Sequence, residues 1–351
     1  MKSKTTLITV LLITIILSLP LFAKPVDTKD TKLLSQPAIS KDRIAFVYAG
    51  DLWVADADGG NARRLTSDDG DESNPVFSPD GKWIAFDGQY DGNTDVFIVP
   101  AEGGIPKRLT WHPYSDNVCD FTPDGSAVLF RSARNVFTNR YTQLFKVSID
   151  GGFPEALQIP NANKAAYSPD GKRLAYTPLS EAFFQWKHYR GGRTSRIWLY
   201  AFSDHSVEQI PQPEGRCNDT DPMWMGDKIY FRSDRNGEFN LFVYDTRTKD
   251  VQQLTRYSDF PVLYASSGSG KILFEQAGCL HRYDPQTGQT QKLTIGVAAD
   301  LLELRPRYVN GARFIRNAAI SPSGARAVFE FRGEIVTVPE KKGDPRNLTQ
   351  T

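Results

Sequence analysis

The sequence predicts an all-β protein, namely a six-bladed β-propeller followed by the first blade of a second propeller. One observation is a unit of about 40 residues that recurs along the chain, each copy holding four short stretches rich in β-branched and aromatic residues. A second observation is the tight turn inside the unit, most regular as Ser-Pro-Asp-Gly. Since one blade cannot bury both of its faces alone, such units stack side by side around a channel.

The clearest copy of the unit shows how it is built. A first strand, Asn74–Phe77, leads into the turn Ser78–Gly81 and the second strand Trp83–Phe86. Asp95–Val99 forms the third strand, and a Gly-Gly turn leads to a short fourth strand at Arg108–Thr110. In the first turn proline presets φ, aspartate accepts hydrogen bonds from nearby amides, and glycine takes the left-handed position.

Six further copies share this arrangement, with or without the proline. Their second strands are Ile44–Val47, Val128–Phe130, Leu174–Tyr176, Ile229–Phe231, Ile272–Phe274 and Val328–Phe329. Because the innermost strand of a blade precedes the first turn, we expect the channel to be lined from around one residue of each blade in the first propeller: Ile39, Val76, Cys119, Ala165, Met223 and Leu263.

The number of blades in the first ring depends on one long connection. Seven copies could close a single seven-bladed ring, and the repeat alone permits this. Five connections between copies are short, however, whereas the sixth runs for 22 residues from Ile295 to Arg316. Long irregular segments are uncommon inside compact domains, so this segment favours a boundary. We therefore predict a six-bladed propeller at residues 37–294, a linker at 295–316 and the first, truncated blade of a second propeller at 317–351.

The N-terminus predicts export to the periplasm or beyond the cell. Lys2 and Lys4 precede an uncharged stretch rich in Leu and Ile, followed by Pro20 and the small residue Ala23 at the expected cleavage site. Residues 1–23 are thus predicted to be a signal peptide and residues 24–36 a linker, with no membrane contact after cleavage. A retained anchor is the alternative, since about 16 apolar-leaning residues approach the roughly 20 needed to span a bilayer.

Composition and motifs argue against several classes of function. The net charge is +1, with 42 Lys and Arg against 41 Asp and Glu, and no long charged stretch indicates nucleic acid. No residue stands in a nucleophile-elbow, zincin or phosphate-loop motif, so no catalytic residue, metal ligand or cofactor is predicted. Two of the three cysteines could pair in an oxidising compartment, but all three are expected to be free thiols: Cys119, Cys217 and Cys279. One connecting loop has carboxylates of the kind that bind calcium but is expected to be a solvated loop: Asp68, Asp69, Asp71 and Glu72.

An insertion between the second and third strands of the fourth copy, from Pro178 to Ser195, is the best candidate for binding. It supplies exposed aromatic and basic residues of the kind that bind peptides or partner subunits: Phe184, Trp186, Lys187, Tyr189, Arg190 and Arg193. It could equally be a lid over the channel. The alternative is that its aromatic residues only pin the loop to its own propeller.

Arg131 is the last candidate residue, and it lies at the end of a second strand. Three more arginines follow second strands in the same way: Arg134, Arg232 and Arg235. They could form ion pairs with Asp234 or with neighbouring blades, or they could hold the carboxylates of a substrate.

The repeats resemble those of TolB-like and WD40-like propellers in general, and two stretches resemble a narrower family. The insertion contains Trp186-Lys187-His188-Tyr189-Arg190-Gly191-Gly192, and the fifth copy ends with Gln253-Leu254-Thr255-Arg256-Tyr257-Ser258-Asp259-Phe260-Pro261. Both are similar to the six-bladed propeller of tricorn proteases and of their exported bacterial relatives. The tail from Ile320 to Thr349 resembles the opening blade of the next, seven-bladed propeller in that family.

The resemblance implies an oligomeric serine peptidase whose Ser-His-Ser-Glu catalytic set lies in a later domain, so none of its residues maps onto this chain. It implies that this propeller gates peptide access or product exit and supports assembly, with peptides and other domains or subunits of the protease as partners. Whether the chain is part of an enzyme stays open here. A free-standing TolB-like propeller that binds envelope proteins is the alternative, and the propeller of a prolyl-oligopeptidase-type hydrolase is a weaker one.

Overall fold

The computed structural model describes residues 28–136, 141–298 and 310–349. The predicted signal peptide lies outside the described residues, as does half of the predicted linker at 295–316. The chain divides into two compact units, one ending at Ala298 and the other beginning at Ala299. The regular secondary structure of the described residues is almost entirely β-strand, and these residues contain no α-helix with the length and hydrophobicity that crossing a bilayer requires.

Seven antiparallel four-stranded sheets, called blades 1 to 7, follow one another along the described chain. Blade 1 contains β1 (Ser35–Ile39), β2 (Arg43–Tyr48), β3 (Asp51–Asp56) and β4 (Arg63–Arg64). Blade 2 contains β5 (Glu72–Phe77), β6 (Trp83–Gly88), β7 (Asp95–Pro100) and β8 (Lys107–Arg108). Blade 3 contains β9 (Asp116–Phe121), β10 (Ala127–Ser132), β11 (Gln143–Ser148) and β12 (Glu155–Ala156).

The remaining blades repeat the same order. Blade 4 contains β13 (Lys164–Tyr167), β14 (Arg173–Thr177), β15 (Trp198–Ala201) and β16 (Val207–Gln209). Blade 5 contains β17 (Asp219–Met225), β18 (Lys228–Ser233), β19 (Asn240–Asp245) and β20 (Val251–Gln253). Blade 6 contains β21 (Val262–Gly268), β22 (Lys271–Gln276), β23 (Cys279–Asp284) and β24 (Gln289–Lys292). Blade 7 contains β25 (Ile315–Ile320), β26 (Arg326–Phe331), β27 (Glu334–Pro339) and β28 (Arg346–Asn347).

The first strands of blades 1 to 6 form the inner wall of a closed ring. Each contacts the first strand of the next blade, and β21 of blade 6 contacts β1 of blade 1. The all-β propeller predicted from the repeats is confirmed, and the seven sheets are consistent with six blades plus one. The domain boundaries stay a prediction. β1 begins at Ser35, two residues before the predicted start of the propeller.

Six apolar clusters hold the ring together, and each lies between two neighbouring blades. The second strand of blade 2 shows why. Ile84 and Phe86 pack against blade 1, whereas Ala85 between them packs against blade 3. Because successive side chains of a strand point to opposite faces, a strand buried on both sides needs a continuous apolar run rather than an alternating one. The cluster between blades 6 and 1 closes the ring.

The Ser-Pro-Asp-Gly turns follow the chemistry predicted for them. In blade 2 the Ser78 hydroxyl donates to Asp80 over 2.6 Å, and the Lys82 amide donates to the same carboxylate over 3.1 Å. Gly81 has φ +73°, the left-handed conformation that glycine adopts without strain. Since the carboxylate accepts these bonds, the Ser78 hydroxyl holds the pKa of Asp80 below its ordinary value.

The inner strands carry a bulge that the repeat pattern does not reveal. Gln36, Asn74 and Asp221 each have φ 49°, and each is followed by a proline. The pairing register shifts at this point in blades 1, 2 and 5. A proline lacks the amide that a regular ladder would use, so a bulge is where a strand accommodates it.

Blade 7 forms the second unit and differs from the others in burial. All six residues of β25 are exposed, and those of β26 are half-buried. Ile320 at the end of β25 exposes 76% of its surface. The sequence of blade 7 has the same strand and turn pattern as the other six blades. The exposed faces of its sheet therefore carry the kinds of residue that the other blades bury against their neighbours.

Closure between blades 6 and 1 predicts a large effect of one substitution. Leu280 is fully buried in the cluster that joins them. Leu280→Ala should lower the free energy of unfolding by about 2–5 kcal/mol, because it leaves a cavity at the closing contact. Urea unfolding followed by tryptophan fluorescence measures this. The matched control is Val207→Ala at a half-exposed position of β16, where a change of at most about 0.5 kcal/mol is expected. Equal losses of unfolding free energy in both variants would contradict the role of Leu280 in closing the ring.

Candidate functional site

The inner strands of blades 1 to 6 surround a cavity of about 1080 Å³. Its wall contains five of the six residues predicted to line the channel: Ile39, Val76, Cys119, Ala165 and Met223. Leu263 is not part of the wall, where β21 instead contributes Tyr264 and Ala265. A bulge between Val262 and Ala265 shifts the register of β21 and changes which side chains face inward.

A second, smaller cavity of about 330 Å³ adjoins the first. Five residues line both cavities: Gln36, Asn74, Arg131, Lys164 and Tyr264. The insertion of blade 4 supplies Ser180, Glu181 and Phe184 to the smaller one. The insertion therefore lies at one end of the axial channel.

The insertion is anchored on blade 5. It contains one short 3₁₀ helix, Ala182–Phe184, whose Phe183 is buried against Phe239 with ring centroids 4.7 Å apart. Arg190 donates to the Asp234 carboxylate over 2.6 Å and to the Asp234 carbonyl over 3.2 Å. Asp234 is fully buried, so this bond reaches from the loop into the body of blade 5.

The other basic residues of the insertion also have partners within the chain. Lys187 forms an ion pair with Glu238 at 2.9 Å. Arg193 donates to the Ser180 hydroxyl over 2.5 Å and so ties the two ends of the loop together. The basic side chains that were predicted to bind a ligand are therefore engaged in contacts within the chain.

Two aromatic residues of the insertion remain open to solvent. Phe184 exposes 58% of its surface and Trp186 exposes 55%, although Trp186 stacks on Tyr189 at 6.1 Å between centroids. The insertion thus combines features of both interpretations: its charged residues pin it to its own propeller, and part of its aromatic surface is free. Its role in binding stays a prediction.

Arg131 lines both cavities and differs from the arginines predicted alongside it. Its Nη1 donates to the carbonyl of Asn163 over 3.1 Å. The other three form ion pairs, Arg134 with Asp116, Arg232 with Asp221 and Arg235 with Asp219. Asp234, which was a possible partner for these four arginines, instead forms an ion pair with Arg190 of the insertion.

A circle of polar contacts, called the polar ring, joins each blade to the next around the channel. Its members are Gln36, Asp87, Arg131, Lys164, Arg232 and Glu275. From blades 1 to 4, the Asn74 amide donates to Gln36 over 2.6 Å, the Val118 amide donates to Asp87 over 2.6 Å, and Arg131 donates to Asn163. From blades 4 to 1, Lys164 pairs with Asp221, Arg232 donates to the Val262 carbonyl over 2.8 Å, and the Gln36 amide donates to Glu275.

Sequence reasoning singled out Arg131 and Arg232 but missed the ring as a whole, although a signal for it exists. Asp87, Arg131, Arg232 and Glu275 all occupy the fifth position of a second strand. The apolar residues before them align the copies, but the fifth residue is acidic in blades 2 and 6, basic in blades 3 and 5, and uncharged in blades 1 and 4. The same strand position therefore holds residues of opposite charge in different blades, and a search for one residue type does not find it.

Burial governs ionisation around the channel. It raises the pKa of Asp87 to about 6 and the pKa values of Asp120 and Glu275 to about 7. Burial also raises the pKa of Glu181. For Asp221 burial acts in the same direction, but the positive charges of Arg232 and Lys164 outweigh it and hold the pKa below the ordinary value.

The described ranges hold no cluster of three or more His, Cys, Asp or Glu side chains placed to bind a metal ion. Within the predicted acidic loop, Glu72 is buried and accepts hydrogen bonds from the Thr66 hydroxyl and the Leu52 amide. It therefore joins blades 1 and 2 and is not part of a solvated loop. The three cysteines are free thiols.

The raised pKa of Glu275 predicts a pH-dependent effect on stability. A carboxyl with a folded pKa of about 7 binds a proton more readily when folded than when unfolded. Its contribution to stability therefore falls as pH rises from about 4.5 to about 7. Glu275→Gln mimics the protonated form, so it should stabilise the protein relative to wild type more at pH 8 than at pH 5.

Urea unfolding of both proteins at the two pH values measures this difference. Glu155→Gln at an exposed position of β12 is the matched control, for which no such pH-dependent gap is expected. If the difference in free energy of unfolding between Glu275→Gln and wild type is the same at pH 5 and pH 8, Glu275 has an ordinary pKa in the folded protein and the prediction is wrong.

Comparison with known proteins places this architecture in a family. A model of the tricorn protease N-terminal β-propeller domain matches residues 31–289. The chain is 26% identical over 307 residues to a tricorn protease homolog of Saccharolobus solfataricus, a match that covers 85% of this chain and 28% of the relative. The chain thus spans less than a third of the length of this relative and of two tricorn protease homologs of Streptomyces coelicolor.

Solved structures agree with the sequence comparison. A crystal structure of the tricorn protease superposes with a TM-score of 0.78 at 25% identity, covering 91% of this chain and 31% of that one. TolB from Acinetobacter baumannii superposes with a TM-score of 0.54 at 19% identity, over 72% of this chain and 63% of that chain. The second likeness concerns the fold alone.

Proposed function

Because the chain belongs to the tricorn protease N-terminal β-propeller family, we propose that it is the non-catalytic propeller region of a tricorn-like serine peptidase, where its channel gates the access of peptides or the exit of products. The observation that carries this proposal is the axial channel with a structured insertion at one end. A channel through a ring of rigid blades can limit what passes by its width, and a loop at its mouth can change that width.

The channel wall suits passing peptides better than holding one ligand tightly. The large cavity combines apolar side chains such as Val76 and Met223 with polar ones such as Ser266 and Ser267. A peptide presents both kinds of surface along its length. Tight binding would slow release, whereas a mixed wall of modest affinity allows entry and exit.

Support of assembly is the second part of the proposal. Phe184 and Trp186 are exposed aromatic residues on an anchored loop, and aromatic residues are enriched where proteins contact one another. The same loop could therefore contact another domain or subunit of the peptidase. We further propose that the protein is exported by residues 1–23 and works in the periplasm or outside the cell.

Blocking the channel should reduce peptide turnover in the peptidase to which this propeller is assigned. Ser267 lies on β21 in the wall of the large cavity. Both labelled variants carry Cys119→Ser, because Cys119 is a free thiol in the same cavity wall. The Ser267→Cys enzyme labelled with a bulky maleimide should then lose at least about tenfold in kcat/KM for an oligopeptide. Thr248→Cys, in the exposed turn between β19 and β20, is the labelled control and should keep its activity. Undiminished turnover in the blocked enzyme would refute gating.

A free-standing propeller that binds envelope proteins is the alternative, and the TolB-like fold favours it only at the level of architecture. The coding sequence downstream separates the two: a peptidase domain in the same frame supports the first function, and a natural stop with none encoded nearby supports the second. Under either function the purified chain should release no product from a fluorogenic peptide. Robust cleavage that survives repurification would overturn both.

A further inference from the structure

We propose that the docking of the blade 4 insertion on blade 5 is coupled to proton binding, so that the insertion is held most firmly at mildly acidic pH and loosens as pH rises. The inference rests on the proposed function, because the insertion lies at one end of the channel and its release would change the width of that end. It adds regulation by pH to that function. Two contacts carry it, one made by Glu181 and the other by His188.

Glu181 is the one acidic residue of the insertion, and its carboxyl group is buried. The side chain exposes only 3% of its surface. It accepts a hydrogen bond from the Thr220 hydroxyl on β17 and lies 3.7 Å from the Lys164 ammonium on β13. The carboxyl group therefore leaves water when the insertion docks against the inner strands of blades 4 and 5.

The charged groups that face Glu181 come from four strands and act on its ionisation in both directions. They are three cations and one anion: Lys164 of β13, Arg232 of β18 and Arg131 of β10; and Asp221 of β17. Burial is the strongest influence and the Asp221 carboxylate adds to it, so the pKa of Glu181 is raised although the three cations oppose the rise. In a released insertion the carboxyl group would return to water and to its ordinary pKa.

The sign of the pH effect follows from this difference. A group that binds a proton more readily in one state stabilises that state most at low pH, and the contribution is lost as pH rises through the raised pKa. Proton binding by Glu181 therefore favours the docked insertion at acidic pH. Above the raised pKa, the ionised carboxylate favours release because release restores its hydration.

His188 makes a second contact that acts in the same direction. Its Nε2 lies 3.1 Å from Oε1 of Glu238, in the loop between β18 and β19, and Lys187 pairs with the same oxygen. The Glu238 side chain exposes only 14% of its surface, so water screens this pair little. A histidine gains its positive charge as pH falls, typically between about pH 8 and pH 5. The contact is therefore an ion pair at acidic pH and loses this attraction as pH rises.

The backbone at His188 adds to the tendency toward release. Its φ is 59°, the left-handed conformation that residues with a Cβ atom adopt at a cost. Contacts of the docked insertion must offset this cost. When the attraction between His188 and Glu238 weakens at higher pH, less of the cost is offset.

Native-state hydrogen exchange on the full chain, at pH 5 and pH 8, tests the proposal. The reporters are the amides of Trp186 and Tyr189, which donate to carbonyls of the insertion over 3.1 and 3.0 Å. After correction for the exchange rates of an unstructured peptide at each pH, their protection should fall at least about tenfold from pH 5 to pH 8. The amides of β9 and β13 report global unfolding and should be better protected than the insertion at both pH values.

Two variants assign the effect to its groups. Glu181→Gln keeps an acceptor for the Thr220 hydroxyl but cannot ionise, so protection of the insertion at pH 8 should rise toward its value at pH 5. His188→Gln cannot gain a charge, so protection at pH 5 should fall. The matched controls are Glu214→Gln and His205→Gln, at exposed positions outside the insertion, and each should keep the wild-type profile.

The outcomes separate this inference from the proposed function. Equal protection of the insertion at pH 5 and pH 8 in the wild-type chain overturns the coupling, whether or not the variants fold. Exchange of the insertion at the same rate as β9 and β13 also overturns it, because opening would then require global unfolding. A pH dependence that both variants leave unchanged overturns the role of Glu181 and His188. Gating itself is decided by turnover in the channel-blocked enzyme, so the two failures are distinguishable.

Discussion

Contact between neighbouring blades is the constraint on which the rest of this structure depends. Each four-stranded sheet is apolar on both faces, so it is stable only when a neighbour covers each face. Six apolar clusters meet this need, and the one that joins blade 6 to blade 1 makes the ring closed rather than open. The channel exists because the ring is closed. The polar ring adds directional bonds at the same junctions, and buried directional contacts of this kind can fix how one element sits against the next.

The proposed function depends on where the ring is interrupted by other structure. The insertion of blade 4 is the longest departure from the repeat that the described part of the ring contains, and it is anchored on blade 5 by Arg190 and Asp234. This bond crosses a blade junction, as the polar ring does. The insertion is thus held firmly enough to define one end of the channel, while Phe184 and Trp186 remain exposed, as the proposed contact with a peptide or another domain requires.

The fold could be predicted from the sequence because its signals are local. The Ser78–Gly81 turn and the apolar run of the following strand each depend on a few consecutive residues. The site was less predictable because its contacts are between blades. Nothing near Arg190 in sequence indicates Asp234, 44 residues away, and the sign change from Asp87 to Arg131 hides the common position of the polar ring. The register shift in β21 exchanged Leu263 for Tyr264 and Ala265 in the wall, since a bulge reverses the alternation on which the prediction relied.

Native-state hydrogen exchange tests the closed ring most directly. If closure is what stabilises the propeller, the amides of β1 and β21 should exchange only through global unfolding, at the same slow rate as those of β9 and β13 on the opposite side. The amides of blade 7, which belongs to a separate unit, should exchange independently. Early exchange confined to β1 and β21, with β9 and β13 still protected, would show that blades 6 and 1 separate easily and would contradict the account.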